Sequence, residues 1–288
     1  MGCQFAGVTA EKYQQLQTLL REAGSCLVAY SGGVDSVFLA RVAHDVLGSK
    51  ALAVIADSPS LPRRELADAL QLGERFGFPV RVIRTGEFEN AEYRANPVNR
   101  CYFCKHELFT ELAPLARAEG FSVIAYGENA SDTGDFRPGS QAAAEFSVRA
   151  LLKEVGLTKA EVRALSANLG LPTADKPQMA CLSSRIPYGE PVTEAKLRMI
   201  ETAEYVLRDL GFYDVRVRHH EVGAGIPGAT ATAHLARVEV GPAELPKLLA
   251  DGLPARVAAA FRDIGYAHAT LDLQGYRRGS LNVTPTAS

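Results

Sequence analysis

The chain has 288 residues, of which 47% are hydrophobic and 22% are charged, and its formal net charge is −2. That length is enough for one large α/β domain or two smaller ones, and the near-neutral charge argues against a global basic field for nucleic acid. Neither a signal peptide nor a membrane-spanning apolar run is evident, and five cysteines, an odd number, argue against disulfides. We therefore expect a cytoplasmic protein without a membrane partner.

Apolar strands alternate with helical patterns in the first two thirds of the chain. The spacing of apolar residues predicts helices at 8–23, 34–47, 62–77, 102–118, 140–155 and 158–169. It predicts strands at 26–30, 51–56, 79–83 and 121–126. Uninterrupted apolar strands between helices are typical of a parallel sheet covered on both faces.

The pattern changes after a loop at 172–191 that is rich in proline and serine. A helix is predicted at 192–211, strands at 213–219 and 234–240, a helix at 242–264 and a strand at 268–273. The stretch 221–232 is rich in Gly, Ala and Thr and is predicted to be a loop. This order indicates a smaller α+β domain, so we expect domains at 1–189 and 190–288.

The run Ser31-Gly32-Gly33-Val34-Asp35-Ser36 follows the first strand and opens the second helix. Glycines let backbone N–H groups turn toward an anion, and the helix dipole and the serine hydroxyls add to the attraction. The run lacks the lysine of a P-loop and the spacing of a dinucleotide fold. It therefore suits a pyrophosphate grip, with an ordinary glycine turn as the alternative. Asp35 is expected to hold Mg²⁺ or to order the turn, although an acid in a first helical turn is also favourable without a function.

Polar residues follow two other predicted strands, and the carboxyl ends of parallel strands share one edge of the sheet. Asp57 and Ser58 lie where adenosine would be bound, with a simple strand-end turn as the alternative. Asp132, Asp135 and Arg137 are candidates to bind magnesium pyrophosphate, although such loops are often only turns.

Three cysteines form a second candidate group. Cys101 and Cys104 are spaced i, i+3 at the start of a predicted helix, which puts both thiols on one face near its positive end. A single C-x-x-C is shared by redox pairs, zinc half-sites, iron–sulfur ligands and structural cysteines. Cys181 lies in a loop with Ser184 and Arg185 that is suited to an anionic ligand, and a buried thiol is the plain alternative.

Two arginines that follow this loop in the sequence are also candidates to bind an anionic ligand. Arg216 and Arg218 share one face of a predicted strand by the period of two. With Ser184 and Arg185 they are candidates to bind the phosphate or carboxylates of a substrate, because a guanidinium binds such groups in a bidentate manner. A solvated strand face would also fit the pair.

Several of these segments together carry a family resemblance. They are SGGVDS at 31–36, NRCYFCK at 99–105, the D-F-R-P-G stretch within 127–139, ACLSSRIPYG at 180–189 and VRVRH at 215–219. SGGxDS marks the PP-loop ATP pyrophosphatases in general, and the full set resembles the LarE family, which inserts sulfur into the precursor of the nickel-pincer nucleotide cofactor. The resemblance covers residues 20 to 275, with 221–232 as its least similar part. It implies an α/β fold with a doubly wound parallel sheet of PP-loop (adenine nucleotide alpha hydrolase-like) type.

The resemblance also implies a mechanism. ATP binds at 31–36 and adenylylates a carboxylate of pyridinium-3,5-biscarboxylic acid mononucleotide; pyrophosphate leaves, and a sulfur nucleophile then displaces AMP. In one branch of the family the sulfur is that of the loop cysteine, here Cys181, which is sacrificed. In the other branch three cysteines resemble the ligands of a [4Fe–4S] cluster, and Cys101, Cys104 and Cys181 fit this second branch better. Sulfide or a sulfur donor would then be a partner, and the family suggests a homo-oligomer.

Three other function classes remain as alternatives. A PP-loop tRNA thiolase with three cysteines would need a basic RNA-binding surface, which a net charge of −2 disfavours. A synthetase such as an NAD or asparagine synthetase needs an ammonia source and leaves the cysteines unexplained. A nucleotide sensor without catalysis would not need three cysteines.

Overall fold

The computed structural model describes residues 7–132, 138–177, 180–223 and 232–277. The chain forms two compact units. The first contains the chain as far as Tyr93 and again from Asn99 to residue 177, and the second contains Arg94–Val98 and the chain from Ala180. None of the described helices is long and apolar enough to cross a membrane.

The first unit is built on a four-stranded parallel sheet in the order β3–β2–β1–β4. Its strands are β1 (Cys26–Tyr30), β2 (Ala51–Asp57), β3 (Val80–Arg84) and β4 (Val123–Tyr126). The helices from the start of this unit to Asn168 are α1 (Val8–Ala23), α2 (Val34–Leu47), α3 (Arg63–Phe76), α4 (Ala91–Arg94), α5 (Arg100–Glu119), α6 (Pro138–Glu145), α7 (Leu151–Glu154) and α8 (Lys159–Asn168). The predicted parallel α/β sheet is confirmed.

The central strand β1 shows why the sheet is covered on both faces. Val28 and Tyr30 belong to one apolar cluster with residues of α1, α2 and α8. Leu27 and Ala29 point the other way, into a second cluster with residues of α5 and α6. Because successive side chains of a strand alternate between faces, a strand that is apolar throughout needs helices on both sides.

The order of the strands creates a switch point next to β1. The chain runs outward through β2 and β3, and then returns to place β4 on the opposite side of β1. In open parallel sheets, ligands bind outside the carboxyl ends of the strands at such a switch point, which here lies between β1 and β4.

The predicted helix at 140–155 is wrong, because the chain forms α6 and α7 with a break between them. Ser147 has a positive φ of 55°, and Arg149 pairs with Ala125 as a parallel bridge at the edge of β4. The N–H of Arg149 donates to Ile124, and its carbonyl accepts from Tyr126. These two backbone hydrogen bonds would not form if the segment continued as a helix.

The second unit has a three-stranded sheet packed on helices. Its elements are α9 (Glu194–Asp209), β5 (Val215–Val222), β6 (Ala233–Val240), α10 (Leu245–Leu248), α11 (Leu253–Ile264) and β7 (His268–Leu271). β5 and β6 are antiparallel, and β6 and β7 are parallel. The predicted helix at 242–264 is interrupted, because Asp251 and Gly252 both have a positive φ.

The predicted bounds 1–189 and 190–288 differ from the compact units at Arg94–Val98 and at 180–189. Asn96 is the reason for the first difference. Its buried side-chain amide donates to the carbonyls of Pro187 (2.7 Å) and Glu190 (3.0 Å), and Val192 N–H donates to the Arg94 carbonyl. The short segment is therefore fastened to the loop before α9.

A buried histidine predicts acid sensitivity of the second unit. Burial, together with the neighbouring His234, lowers the pKa of His219 to about 4, and its Nδ1 lies 3.2 Å from the Tyr266 hydroxyl. The unfolded chain then binds more protons than the folded one between pH 6.5 and 4. We expect the free energy of unfolding to fall by roughly 3 kcal/mol over that interval and this contribution to level off below it.

Urea unfolding at a series of pH values measures this dependence. His219→Gln is expected to flatten it, whereas His268→Gln, at an exposed position of β7, is expected to leave it intact. A slope that is the same in both variants would contradict the assignment.

Candidate active site

The glycine turn between β1 and α2 has two glycines with different roles. Gly32 has a φ of +68°, and a Cβ there would lie 2.9 Å from the Ala69 Cβ, so the fold itself requires glycine. Gly33 has an extended backbone, with φ −83° and ψ 164°, and a Cβ there would meet only Ser31 Oγ at 3.5 Å. The fold therefore tolerates a side chain at Gly33, and its absence leaves space beside the first turn of α2.

The two serines of the turn hold its shape. The buried Ser36 hydroxyl donates to the Gly33 carbonyl and accepts from the Ser31 N–H, both at 3.1 Å. The Ser31 hydroxyl is also 3.1 Å from that of Ser36, and Ser31 is exposed. Ser36 is thus committed to the turn, and Ser31 is the serine at the surface.

Asp35, at the start of α2, is already held by two side chains. Its Oδ2 lies 2.5 Å from Lys159 Nζ, and its Oδ1 accepts from Asn129 Nδ2 at 3.3 Å. Asn129 is itself buried and follows β4. The carboxylate therefore joins the ends of β1 and β4 across the switch point.

Gly127 explains how closely the segment after β4 approaches the turn. A Cβ at this position would lie 2.9 Å from the Ser36 nitrogen and 3.0 Å from the Asp35 Cβ. Asp132 accepts from the Asn129 N–H at 3.1 Å and closes a local turn. Asp135 and Arg137 lie outside the described residues, so their predicted contact with pyrophosphate stays a prediction.

The residues at the end of β2 are held by an arginine that the sequence analysis did not single out. Arg63 donates to the Asp57 carboxylate and to the Ser58 carbonyl, the latter at 2.6 Å. The Ser58 hydroxyl accepts from the Ser60 N–H at 3.2 Å. The predicted adenosine contact of Asp57 and Ser58 stays a prediction at this sheet edge.

The paired cysteines lie in the first two turns of α5. Cys101 is exposed and Cys104 is half-buried, and neither is in a disulfide. The spacing i, i+3 puts both residues on one face of the helix near its positive end.

Cys181 belongs to the second compact unit and directly precedes a 3₁₀ turn, Leu182–Arg185. Within the described ranges no group of three or more His, Cys, Asp or Glu side chains is arranged to hold one metal ion. The convergence of Cys181 with Cys101 and Cys104 stays a prediction.

Arg185 fastens the Cys181 loop to α9. The side chain is fully buried, and its Nε and Nη2 donate to the two carboxylate oxygens of Glu204 at 2.8 and 3.0 Å. Its Nη1 donates to the carbonyls of Ala180 (2.6 Å) and Cys181 (3.0 Å) and to the Ser184 hydroxyl (3.0 Å). A direct substrate contact of Arg185 would require these bonds to open.

Arg185 and Glu204 stay charged despite their burial. Burial alone would lower the pKa of Arg185, but the Glu204 carboxylate more than offsets this and the pKa is raised. Burial alone would raise the pKa of Glu204, but Arg185 outweighs it and the pKa is lowered. Glu204 Oε1 also accepts from the Val217 N–H at 3.1 Å, so the pair ties the loop to β5 as well.

Arg216 and Arg218 are both buried on β5 rather than on a solvated face. Arg218 donates to the Ser184 carbonyl at 2.9 Å and to Glu239 at 2.8 Å. The Arg216 guanidinium lies over the Tyr276 ring, 4.6 Å from its centroid. Burial and, to a smaller extent, the charge of Arg185 lower the pKa of Arg216.

Two lysines at the glycine turn were not found from the sequence. Lys159 pairs with Asp35, and Lys176 Nζ lies 3.3 Å from the Gly32 carbonyl oxygen. Each is more than 120 residues from its partner in the chain. For Lys159, the sequence offers one local signal: Thr158 and Glu161 form a capping box, which places Lys159 at the start of a helix.

Comparison with known proteins identifies the family of this chain. No family model matches the chain. An uncharacterized protein of Synechocystis sp. is 44% identical over 271 residues, which cover 94% of this chain and 97% of that protein. The pyridinium-3,5-bisthiocarboxylic acid mononucleotide synthase of Lactiplantibacillus plantarum is 32% identical over 278 residues, 96% of each chain. The chain belongs to the LarE family.

More distant similarity places this LarE-family protein in the PP-loop superfamily. The tRNA-specific 2-thiouridylase MnmA of Azorhizobium caulinodans is 29% identical over 228 residues, which cover 64% of this chain and 57% of that protein. The resemblance that the sequence segments indicated is confirmed, and so is the α/β fold that it implied.

Proposed function

We propose that this LarE-family protein is an ATP-dependent sulfurtransferase that acts on pyridinium-3,5-biscarboxylic acid mononucleotide. The observation that carries the proposal is the 32% identity, over 96% of both chains, to a synthase whose product is the corresponding bisthiocarboxylic acid mononucleotide. Exchanging a carboxylate oxygen for sulfur requires that the oxygen be made a leaving group first, which adenylylation does.

The proposed reaction proceeds in two steps. A substrate carboxylate oxygen attacks the α-phosphorus of ATP, and pyrophosphate leaves. A sulfur nucleophile then attacks the activated carbonyl carbon, and AMP leaves with the carboxylate oxygen. The 31–36 turn would hold the phosphates through the N–H groups that a helix start leaves without an intrahelical acceptor, and Asp35 would take the Mg²⁺ that accompanies ATP.

Variants of the turn test the nucleotide site. Gly33→Val is expected to fold, because a Cβ there meets no close neighbour, yet to block the approach of the phosphates and nearly abolish AMP formation. Asp35→Ala is expected to have a similar effect on AMP formation in the presence of Mg²⁺. Asp45→Ala, on the same helix and paired with Arg41 at the surface, serves as the control. Unchanged ATP affinity by calorimetry in both turn variants would contradict the site.

The substrate would be held by the second unit. Its phosphate and carboxylates carry negative charge, and the guanidinium groups of Arg216 and Arg218 are both buried on β5. Arg218 donates to the Ser184 carbonyl and so connects β5 to the loop that carries Cys181. A guanidinium group can bind the phosphate or a carboxylate of such a substrate in a bidentate manner.

Cys101, Cys104 and Cys181 are proposed to bind a [4Fe–4S] cluster. The chemistry of these side chains suits such a cluster, because they supply three thiols. Cys101 and Cys104 share one helix face, and Cys101 is exposed. The three thiolates would hold the cluster, and the cluster would supply an iron site for an external hydrosulfide. Sulfide or a sulfur donor would then be the co-substrate. We propose that the protein is a homo-oligomer and that it acts in the cytoplasm, where thiols stay reduced.

A further inference from the structure

Two ammonium groups flank the glycine turn, although the turn itself contains no lysine. Lys159 Nζ lies 2.5 Å from Asp35 Oδ2 at one end of the turn. Lys176 Nζ lies 3.3 Å from the Gly32 carbonyl oxygen at the other end, and 2.6 Å from Glu65 Oε2. Both pairs are half-buried, at side-chain exposures of 31% and 16% for the first and 18% and 14% for the second.

The backbones that carry these lysines are fixed. Lys159 is the first residue of α8, and its N–H donates to the Ser131 hydroxyl at 3.0 Å. The Lys176 carbonyl accepts from Arg163 at 2.8 Å, and the same guanidinium donates to the Ala174 carbonyl. The freedom to exchange partners therefore lies in the long side chains rather than in the loops.

The carboxylate partners make this arrangement neutral before a nucleotide binds. Asp35 and Glu65 each offset one lysine, so neither ammonium group is left uncompensated beside the turn. A carboxylate oxygen is also a ligand that Mg²⁺ prefers, together with phosphate oxygens. When Asp35 turns to the magnesium ion of a bound nucleotide, Lys159 loses its partner at the place where phosphate oxygens arrive.

We propose that Lys159 and Lys176 bind the phosphate chain of the nucleotide, and that Lys159 does so by exchanging the Asp35 carboxylate for a phosphate oxygen. The two lysines supply the cationic contacts that a P-loop obtains from a lysine within its own turn. This inference rests on the proposed nucleotide site.

Calorimetry with ATP, pyrophosphate and AMP tests the contact. Lys159→Gln and Lys176→Gln are each expected to weaken the binding of ATP and pyrophosphate by roughly 10- to 100-fold, the range for one charge-assisted hydrogen bond. Lys12→Gln is the matched control, since Lys12 also pairs with a half-buried carboxylate, Glu161, of the same unit but does not reach the turn. It is expected to bind both ligands like the wild type.

The exchange itself is tested without magnesium. Asp35→Asn releases Lys159, so this variant is expected to bind ATP in EDTA more tightly than the wild type, and adding Lys159→Gln is expected to remove the gain. Wild-type affinity in both lysine variants, or no gain in Asp35→Asn, overturns the inference while the nucleotide site stands. A wild-type protein that binds neither ATP nor pyrophosphate overturns the proposed function and this inference with it.

Discussion

Arg185→Met is expected to lower the free energy of unfolding by about 3 to 5 kcal/mol and to abolish sulfur transfer. The change leaves the Glu204 carboxylate buried without its counter-charge, and removes the donor from the carbonyls of Ala180 and Cys181. The chain has no tryptophan, so urea unfolding is best followed by circular dichroism. Activity is measured as thiocarboxylate formed per chain.

Two controls separate stability from the positioning of Cys181. Arg198→Met removes an exposed ion pair with Glu194 on the same helix and is expected to cost below about 0.5 kcal/mol. Arg185→Met combined with Glu204→Met removes the orphaned charge, so most of the stability should return while activity stays lost. Recovery of activity in this double variant would contradict the role of Arg185 in holding the Cys181 loop.

Changing any one of Cys101, Cys104 and Cys181 to alanine is expected to reduce transfer to background under anaerobic, multiple-turnover conditions. Each removes one of the thiolates proposed to hold the cluster. Cys26→Ala is the matched control, because burial raises the pKa of Cys26 to about 12 and keeps it a protonated core thiol. This control is expected to retain both transfer and the iron content of the wild type.

Intact-protein mass spectrometry separates the two origins of the sulfur. An external donor predicts an unchanged chain mass after several turnovers. Loss of one H₂S at Cys181, in step with product, would contradict an external donor and show that the cysteine is consumed. In that event Cys101→Ala and Cys104→Ala should still support a single round.

The elements around the glycine turn were predictable because local rules govern them. The apolar run Cys26–Tyr30, the turn and the start of α2 at Val34 follow from hydrophobic periodicity and glycine placement, and all three lie where the sequence indicated. The edge shared by β1 and β4 followed from the parallel sheet. Local patterns failed where a distant partner decided the structure, as where Arg149 pairs with Ala125 and breaks a predicted helix.

The charge partners of the candidate site were beyond the sequence for the same reason. By residue type, Arg185 is predicted to bind an anion. In the structure, Glu204 of α9 is buried with it and accepts hydrogen bonds from two of its nitrogens. Lys159 and Lys176 reach the turn from far along the chain. Long-range pairing of this kind depends on tertiary packing, which cannot be predicted from the periodicity of apolar residues along the sequence.

The most direct test of the central claim is a reconstituted anaerobic reaction. The full-length protein is incubated with ATP, Mg²⁺, sulfide and pyridinium-3,5-biscarboxylic acid mononucleotide, and AMP and thiocarboxylate are quantified by liquid chromatography and mass spectrometry. We predict one AMP for each carbon–sulfur bond formed, and no product when ATP is omitted. Product formed without ATP, or AMP released with no sulfur on the pyridinium mononucleotide, would contradict the account.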